Sequence, residues 1–175
     1  MLKVPHFGCN PTIAAVVRHL LLLVHDGYLW LGRKILIDTK LIWRIAHLSF
    51  EGPNPAIDFV GKQQDNKVAD RMKECFGLVK GTCGYDVNSI SNPTMRFAAH
   101  ILAGKIMIKC RPNEVPAPVV SFAEQCAEGV QFDWSNYLLR EFPQDCTDAQ
   151  ERGPFHYSWL LVLIALVAWA EPMDS

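Results

Sequence analysis

Most of this chain carries its hydrophobic residues at helical spacing, and strict alternation shows in only one short stretch. Residues Thr12–His25 are mostly Leu, Val, Ile or Ala. Their polar positions Thr12, Arg18, His19 and His25, with Asp26, gather on one helical face. The pattern predicts a largely buried helix with a narrow wet stripe. Asn10 is suited to cap it, Pro11 is tolerated in a first turn, and Gly27 ends it. Residues 28–37, YLWLGRKILI, are two apolar runs around Gly-Arg-Lys and predict a short hairpin. Asp38 then stands as the N-cap of a helix over Thr39–Leu48. The prolines and glycines of residues 49–62 predict a loop.

Further along, Val68, Met72, Cys75 and Phe76 are spaced for an amphipathic helix over Lys62–Phe76. Residues 77–92 are irregular. Asn92-Pro93 repeats the cap-plus-proline start and opens a helix to about Lys109. Residues 110–118, CRPNEVPAP, form a Pro-rich internal connection. Helices follow over 118–129 and 133–152. The second is capped by Asp133 and kinked or broken at Pro143, and Gly153-Pro154 stops it. The last element is Phe155–Ala170. From Trp159 onward its only polar side-chain groups are two indole N–H groups. That stretch makes roughly 18 Å of helix, whereas a bilayer core takes about 20 residues. A central core helix packed on Thr12–His25 is therefore the first reading, and a membrane anchor through 155–170 the alternative. The fold class that emerges is mainly α: a single-domain, helical bundle-like fold with one short β-hairpin.

Composition supports an ordered domain. The chain has 175 residues, half of them hydrophobic and 20% charged, which bounds it to one domain spanning 1–175. The net charge of −1 hides a division. Residues 1–112 carry 15 Lys and Arg against 8 Asp and Glu, and residues 113–175 carry 2 against 10. Either the two parts attract each other or the basic part faces an acidic partner. The six cysteines form no CxxC pair, the start lacks a signal-peptide core, and Asn10 and Asn92 both precede proline, which forbids N-glycosylation. These features predict an intracellular protein, nuclear or cytoplasmic, with reduced and mostly buried thiols.

The chemistry of catalysis is hard to find. Gly61-Lys62 and Gly104-Lys105 lack the rest of a phosphate loop, and no GxGxxG or HExxH is present. The six histidines show no metal-ligand spacing. Gly81-Thr82-Cys83-Gly84 places a thiol in a glycine-rich turn with no histidine tied to it. No catalytic residue, metal set or cofactor is expected. The suggestive stretch is basic and aromatic. Within residues 28–47 lie Trp30, Arg33, Lys34, Lys40, Trp43 and Arg44. Lysine and arginine neutralise phosphates, and exposed tryptophans stack on bases. These six residues are the expected nucleic-acid contacts. The bland alternative makes the tryptophans core anchors and the cations a solvated rim.

Three segments carry a resemblance: YLWLGRKILIDTKLIWRIAHLSFEGPNP (28–55), FAAHILAGKIMIKCRPNEVPAPVVSFAEQCAEGVQFDW (97–134) and DAQERGPFHYSWLLVLIALVAWAEP (148–172). Together they resemble uncharacterised plant proteins embedded in retroelement-rich DNA, grouped as plant transposon proteins. The W-x-G-x-x-I-x-I-D pattern of that group reads here as Trp30, Gly32, Ile35, Ile37 and Asp38. The resemblance implies an origin in a mobile element and a chain that is a fragment of a longer reading frame. It carries over no catalytic residue. The leading expectation is a non-enzymatic helical protein that acts by binding. The alternatives are a membrane-associated protein, and a nucleic-acid-binding or processing protein of a transposable element.

Overall fold

A computed structural model describes residues 11–55, 84–107, 114–151 and 155–170. The Asn10 cap, the Lys62–Phe76 helix, Cys83, residues 110–113 and Gly153-Pro154 lie outside the described residues. The fold is mainly helical with two small open β-sheets, as the dominant helical period anticipates. The chain divides into two compact units, Met1–Phe50 with Ser135–Ser175, and Glu51–Trp134.

In the first unit, α1 (Pro11–Leu22) leads into a three-stranded antiparallel meander of β1 (Val24–His25), β2 (Tyr28–Trp30) and β3 (Lys34–Leu36). The sequence predicts helix through His25, and the structure ends it a turn early. Val24 pairs with Leu29 and His25 with Tyr28 around Asp26-Gly27. Both turn residues have positive φ, 53° and 76°. An Asp-Gly pair flanked by apolar residues suits a two-residue hairpin turn of this hand. Gly27 therefore belongs to a turn between strands and does not close a helix. The predicted hairpin forms with Trp30 opposite Lys34 and Tyr28 opposite Leu36. Alternation places Leu29 inside and His25, Tyr28, Trp30, Lys34 and Leu36 on the outer face.

Helix α2 (Thr39–Ala46) starts where the sequence places it. The Asp38 carboxylate accepts the Leu41 N–H at 2.8 Å, and His47 closes the helix in the left-handed region. Helix α5 (Trp134–Gln150) continues through Pro143 as one element, so the proline does not break it. Leu138, Phe142 and Cys146 are buried on either side of the proline.

Helix α6 (Ser158–Ala170) packs against α1 and α2. Its first half is core: Leu160, Leu161 and Ile164 are fully buried. Its far end is open, with Leu166 60% and Trp169 90% exposed. Helix α1 is also less buried than its composition predicts. Val17 and Leu21 face inward, while Val16 and Leu22 are exposed.

The expectation of a membrane helix over 155–170 is overturned. No helix among the described residues is long and apolar enough to cross a membrane. Helix α6 has 13 residues, about 20 Å at 1.5 Å per residue, against a hydrocarbon core of about 30 Å. The Asp145 carboxylate of α5 fixes where α6 begins, accepting the N–H groups of His156 (2.8 Å) and Tyr157 (3.0 Å).

In the second unit, β4 (Tyr85–Asp86) pairs with β5 (Glu114–Val115), a small sheet that the sequence reading lacks. Helix α3 (Pro93–Ile101) begins as expected, the Asn92 side chain accepting from the N–H groups of Thr94 and Met95. It continues into a π-helical turn, Leu102–Ile106. Helix α4 (Ala117–Ala127) packs on α3. Phe122, Phe132 and Trp134 form an aromatic cluster with ring centroids 5.1–5.8 Å apart.

Candidate functional site

A groove of about 590 Å³ opens in the first unit between strand β3, helix α2 and the start of helix α5. Ile35 and Leu36 of β3 form one wall, and Lys40, Trp43 and Arg44 come from α2. Their spacing of three and four residues puts these three on one side of the helix. Phe50 completes the aromatic part. Its ring stands 5.7 Å from that of Trp43, at an interplanar angle of 88°.

The backbone just before Phe50 is held by a residue far away in sequence. The buried Ser135 hydroxyl donates to the Leu48 carbonyl at 2.8 Å, and the Ser135 N–H donates to the Ser49 carbonyl at 3.0 Å. The start of α5 thus holds the backbone of residues 48–49, which leads into Phe50. Trp43 and Phe50 are 47% and 48% exposed, so neither is a core anchor. A perpendicular aromatic pair held this way presents its rings at little further entropy cost.

The electrostatics of the groove are one-sided. Lys40 and Arg44 are exposed cations along its length. Among the described residues lining it, Asp38 is the single acidic one, and its carboxylate serves as the α2 N-cap. Helix dipoles favour negative charge near such an N-terminus, where Asp38 already sits.

The six residues expected as nucleic-acid contacts divide three ways. Lys40, Trp43 and Arg44 meet in the groove. Trp30 and Lys34 lie on the outer face of the meander, on the same side as the groove residue Leu36. There the Lys34 ammonium lies 3.9 Å from the centroid of Tyr28 and 5.3 Å from that of Trp30. Arg33 points elsewhere: its guanidinium donates to the Ala168 carbonyl near the end of α6 at 3.0 Å. Sequence reasoning missed Leu36, Phe50 and Ser135. The alternation of the hairpin was a usable signal for Leu36. Nothing local points to the other two.

A second concavity, of about 350 Å³, is lined by His25, Asp26, Cys146, Thr147 and Gln150 among others. It holds no reactive thiol. Burial, with a further contribution from the Asp145 carboxylate, pushes Cys146 up to about 12, so the nucleophilic thiolate is scarce at neutral pH. Gln150 is occupied in donating to the carbonyls of Leu21 and Val24. Among the described residues, no group of three or more His, Cys, Asp or Glu is placed to hold a metal ion. The Arg140–Glu141 ion pair (3.0 Å) and the His156–Asp145 hydrogen bond (2.7 Å) both lie within the acidic C-terminal part.

Compared with family models, curated proteins and solved structures, the chain matches none.

Proposed function

We propose that this chain acts by binding nucleic acid through the α2 groove and the adjoining outer face of the meander. One observation carries the reading. Two half-exposed aromatic rings and two exposed cations line a single concave surface whose only carboxylate among the described residues is engaged as a helix cap. Aromatic faces and cations together suit a ligand of flat rings joined by phosphates. Lys34, on the neighbouring sheet face, adds a third cation on the side of Leu36. An origin among plant mobile elements, implied by the resemblance of residues 28–55, 97–134 and 148–172, belongs to the same proposal and agrees with such a ligand.

The test is a salt titration of affinity for a labelled oligonucleotide. Three phosphate contacts give log K a slope of about −2 against log salt for a single strand, at ~0.7 per cation. The double variant Lys40→Gln/Arg44→Gln should lower the slope by about 1.4. Arg33→Gln should leave it unchanged, because Arg33 points at α6. Equal slopes in the wild type and the double variant would remove the groove from the interface.

A further inference from the structure

We infer that the α2 groove takes an unpaired base, so that the ligand is single-stranded and duplex is a poor one. This rests on the nucleic-acid reading above and names its ligand.

The first argument is shape. The groove is concave, with a volume of about 590 Å³, within the roughly 300–1,000 Å³ of sites that enclose small planar ligands. A duplex presents a convex phosphate surface and keeps the faces of its bases stacked on one another. Only an unpaired base offers a free face to the Trp43 indole and an apolar ring to the wall formed by Leu36 and Phe50.

The second argument is charge. Binding through phosphates falls with salt in proportion to the number of phosphates neutralised, by about 0.9 in log K per log salt for each contact on duplex. The groove and the sheet face beside it supply three cations: Lys34, Lys40 and Arg44. Among the described residues, these three give phosphates few contacts at this surface. Stacking supplies affinity that the cations do not, and it needs no base-specific hydrogen bond. A single strand engages both at once. Its base stacks on Trp43, and its flanking phosphates meet Lys40 and Arg44 one helical turn apart.

The third argument is rigidity. The Trp43–Phe50 contact and the Ser135 hydrogen bonds set the aromatic corner before any ligand arrives. A preset corner saves the ordering cost on the protein's side when a base stacks there.

Fluorescence anisotropy at about 50 mM salt, where ionic contacts are strong, separates the possibilities. It compares a twelve-nucleotide oligo(dT), its duplex with oligo(dA), and an abasic strand of equal phosphate number. The full chain should bind oligo(dT) at least tenfold more tightly than the duplex or the abasic strand. Trp43→Ala should weaken oligo(dT) binding by roughly tenfold, the scale of one lost stack. It should leave duplex binding and the salt slope unchanged. Trp43→Phe should retain most of the affinity, which guards against a merely misfolded variant, and circular dichroism of both variants checks the fold. Equal affinity for oligo(dT), duplex and abasic strand would overturn the stacking inference and leave phosphate binding standing. No binding to any of the three would overturn the parent reading as well. Tighter binding of a Glu- and Leu-rich peptide than of every oligonucleotide would replace nucleic acid by a protein partner.

Discussion

The Ser135 hydroxyl, at the start of α5, donates to the carbonyl of Leu48, 87 residues earlier, at 2.8 Å. Both the donor and the backbone that it holds matter to the groove, because Phe50 follows two residues later. Ser135 is fully buried. Its removal would leave the Leu48 carbonyl without this donor, and such losses cost about 1–3 kcal/mol. Ser135→Ala is therefore expected to lower stability by that amount in urea unfolding. It should also weaken oligonucleotide binding by loosening Phe50. Ser135→Thr, which keeps the hydroxyl, should recover part of both. Unchanged binding by a destabilised Ser135→Ala would show that Phe50 is placed independently of this contact.

What the sequence made legible depends on range. The caps at Asp38 and Asn92 were readable because the acceptor and its N–H lie within three residues of each other. The hairpin at 28–37 was readable from two apolar runs. The Asp26-Gly27 turn carried a local signal as well, but the continuous apolar run of Leu20–Val24 masks the change from helix to strand. Strands of two residues, such as β4 and β5, are too short to show a period, and their partners lie 28–30 residues apart. Half of the groove was visible as the spacing of Lys40, Trp43 and Arg44 on one helix. Phe50 joins it only in the folded chain, and Ser135 supports the backbone before Phe50 only through tertiary contact. At Pro143 the helix continues without a break, and Phe142 and Cys146 are buried on either side of the proline.

Arg33 illustrates why a list of cations is not an interface. Its guanidinium meets the Ala168 carbonyl at 3.0 Å, at the end of α6, where the helix dipole is negative. The contact links hairpin to helix. Arg33→Gln is expected to lower stability by about 1 kcal/mol, seen as a fall in the denaturant midpoint. High salt should shrink the difference between variant and wild type, because the interaction is partly exposed. A variant as stable as the wild type at low salt would show that α6 is held by its apolar face alone.

Alkaline pH should unfold the first unit sooner than ordinary thiols and phenols would allow. Burial pushes Cys146 up to about 12 from an ordinary value of 9.0. Burial first, and then Tyr137, Glu141 and Asp145, raise the Tyr157 phenol above its ordinary 10.0. Both groups keep their protons in the fold at pH values where the unfolded chain loses them. The folded state then binds more protons, and stability falls as pH rises. The Cys146 contribution is fully present below pH 9 and is lost up to about pH 12; Tyr157 adds to the loss above pH 10. Urea midpoints measured between pH 8 and 11 should fall steeply in the wild type and less so in Cys146→Ala. Iodoacetamide should modify Cys146 slowly in the folded protein at neutral pH. Rapid labelling there would contradict the burial.

Helix α6 poses a question that composition cannot answer, since apolar side chains surround it on every side. The structure divides it. Leu160, Leu161 and Ile164 are fully buried, Leu163 is half-buried, and Leu166 and Trp169 face outward. A carboxylate at Ile164 would be buried without a partner, a cost that exceeds the margin of most small folds. Ile164→Asp should therefore abolish the helical circular dichroism of a folded protein. Leu163→Asp should lower the melting temperature without unfolding the chain at 25 °C, because its side chain reaches water. Trp169→Gln should change stability by no more than about 0.5 kcal/mol, as surface substitutions do. The three variants form an ordered series read by one thermal melt each. If Trp169→Gln proved as damaging as Ile164→Asp, the outward side of α6 would have to be covered in solution. An analytical ultracentrifugation run on the wild type would then show whether a second copy covers it.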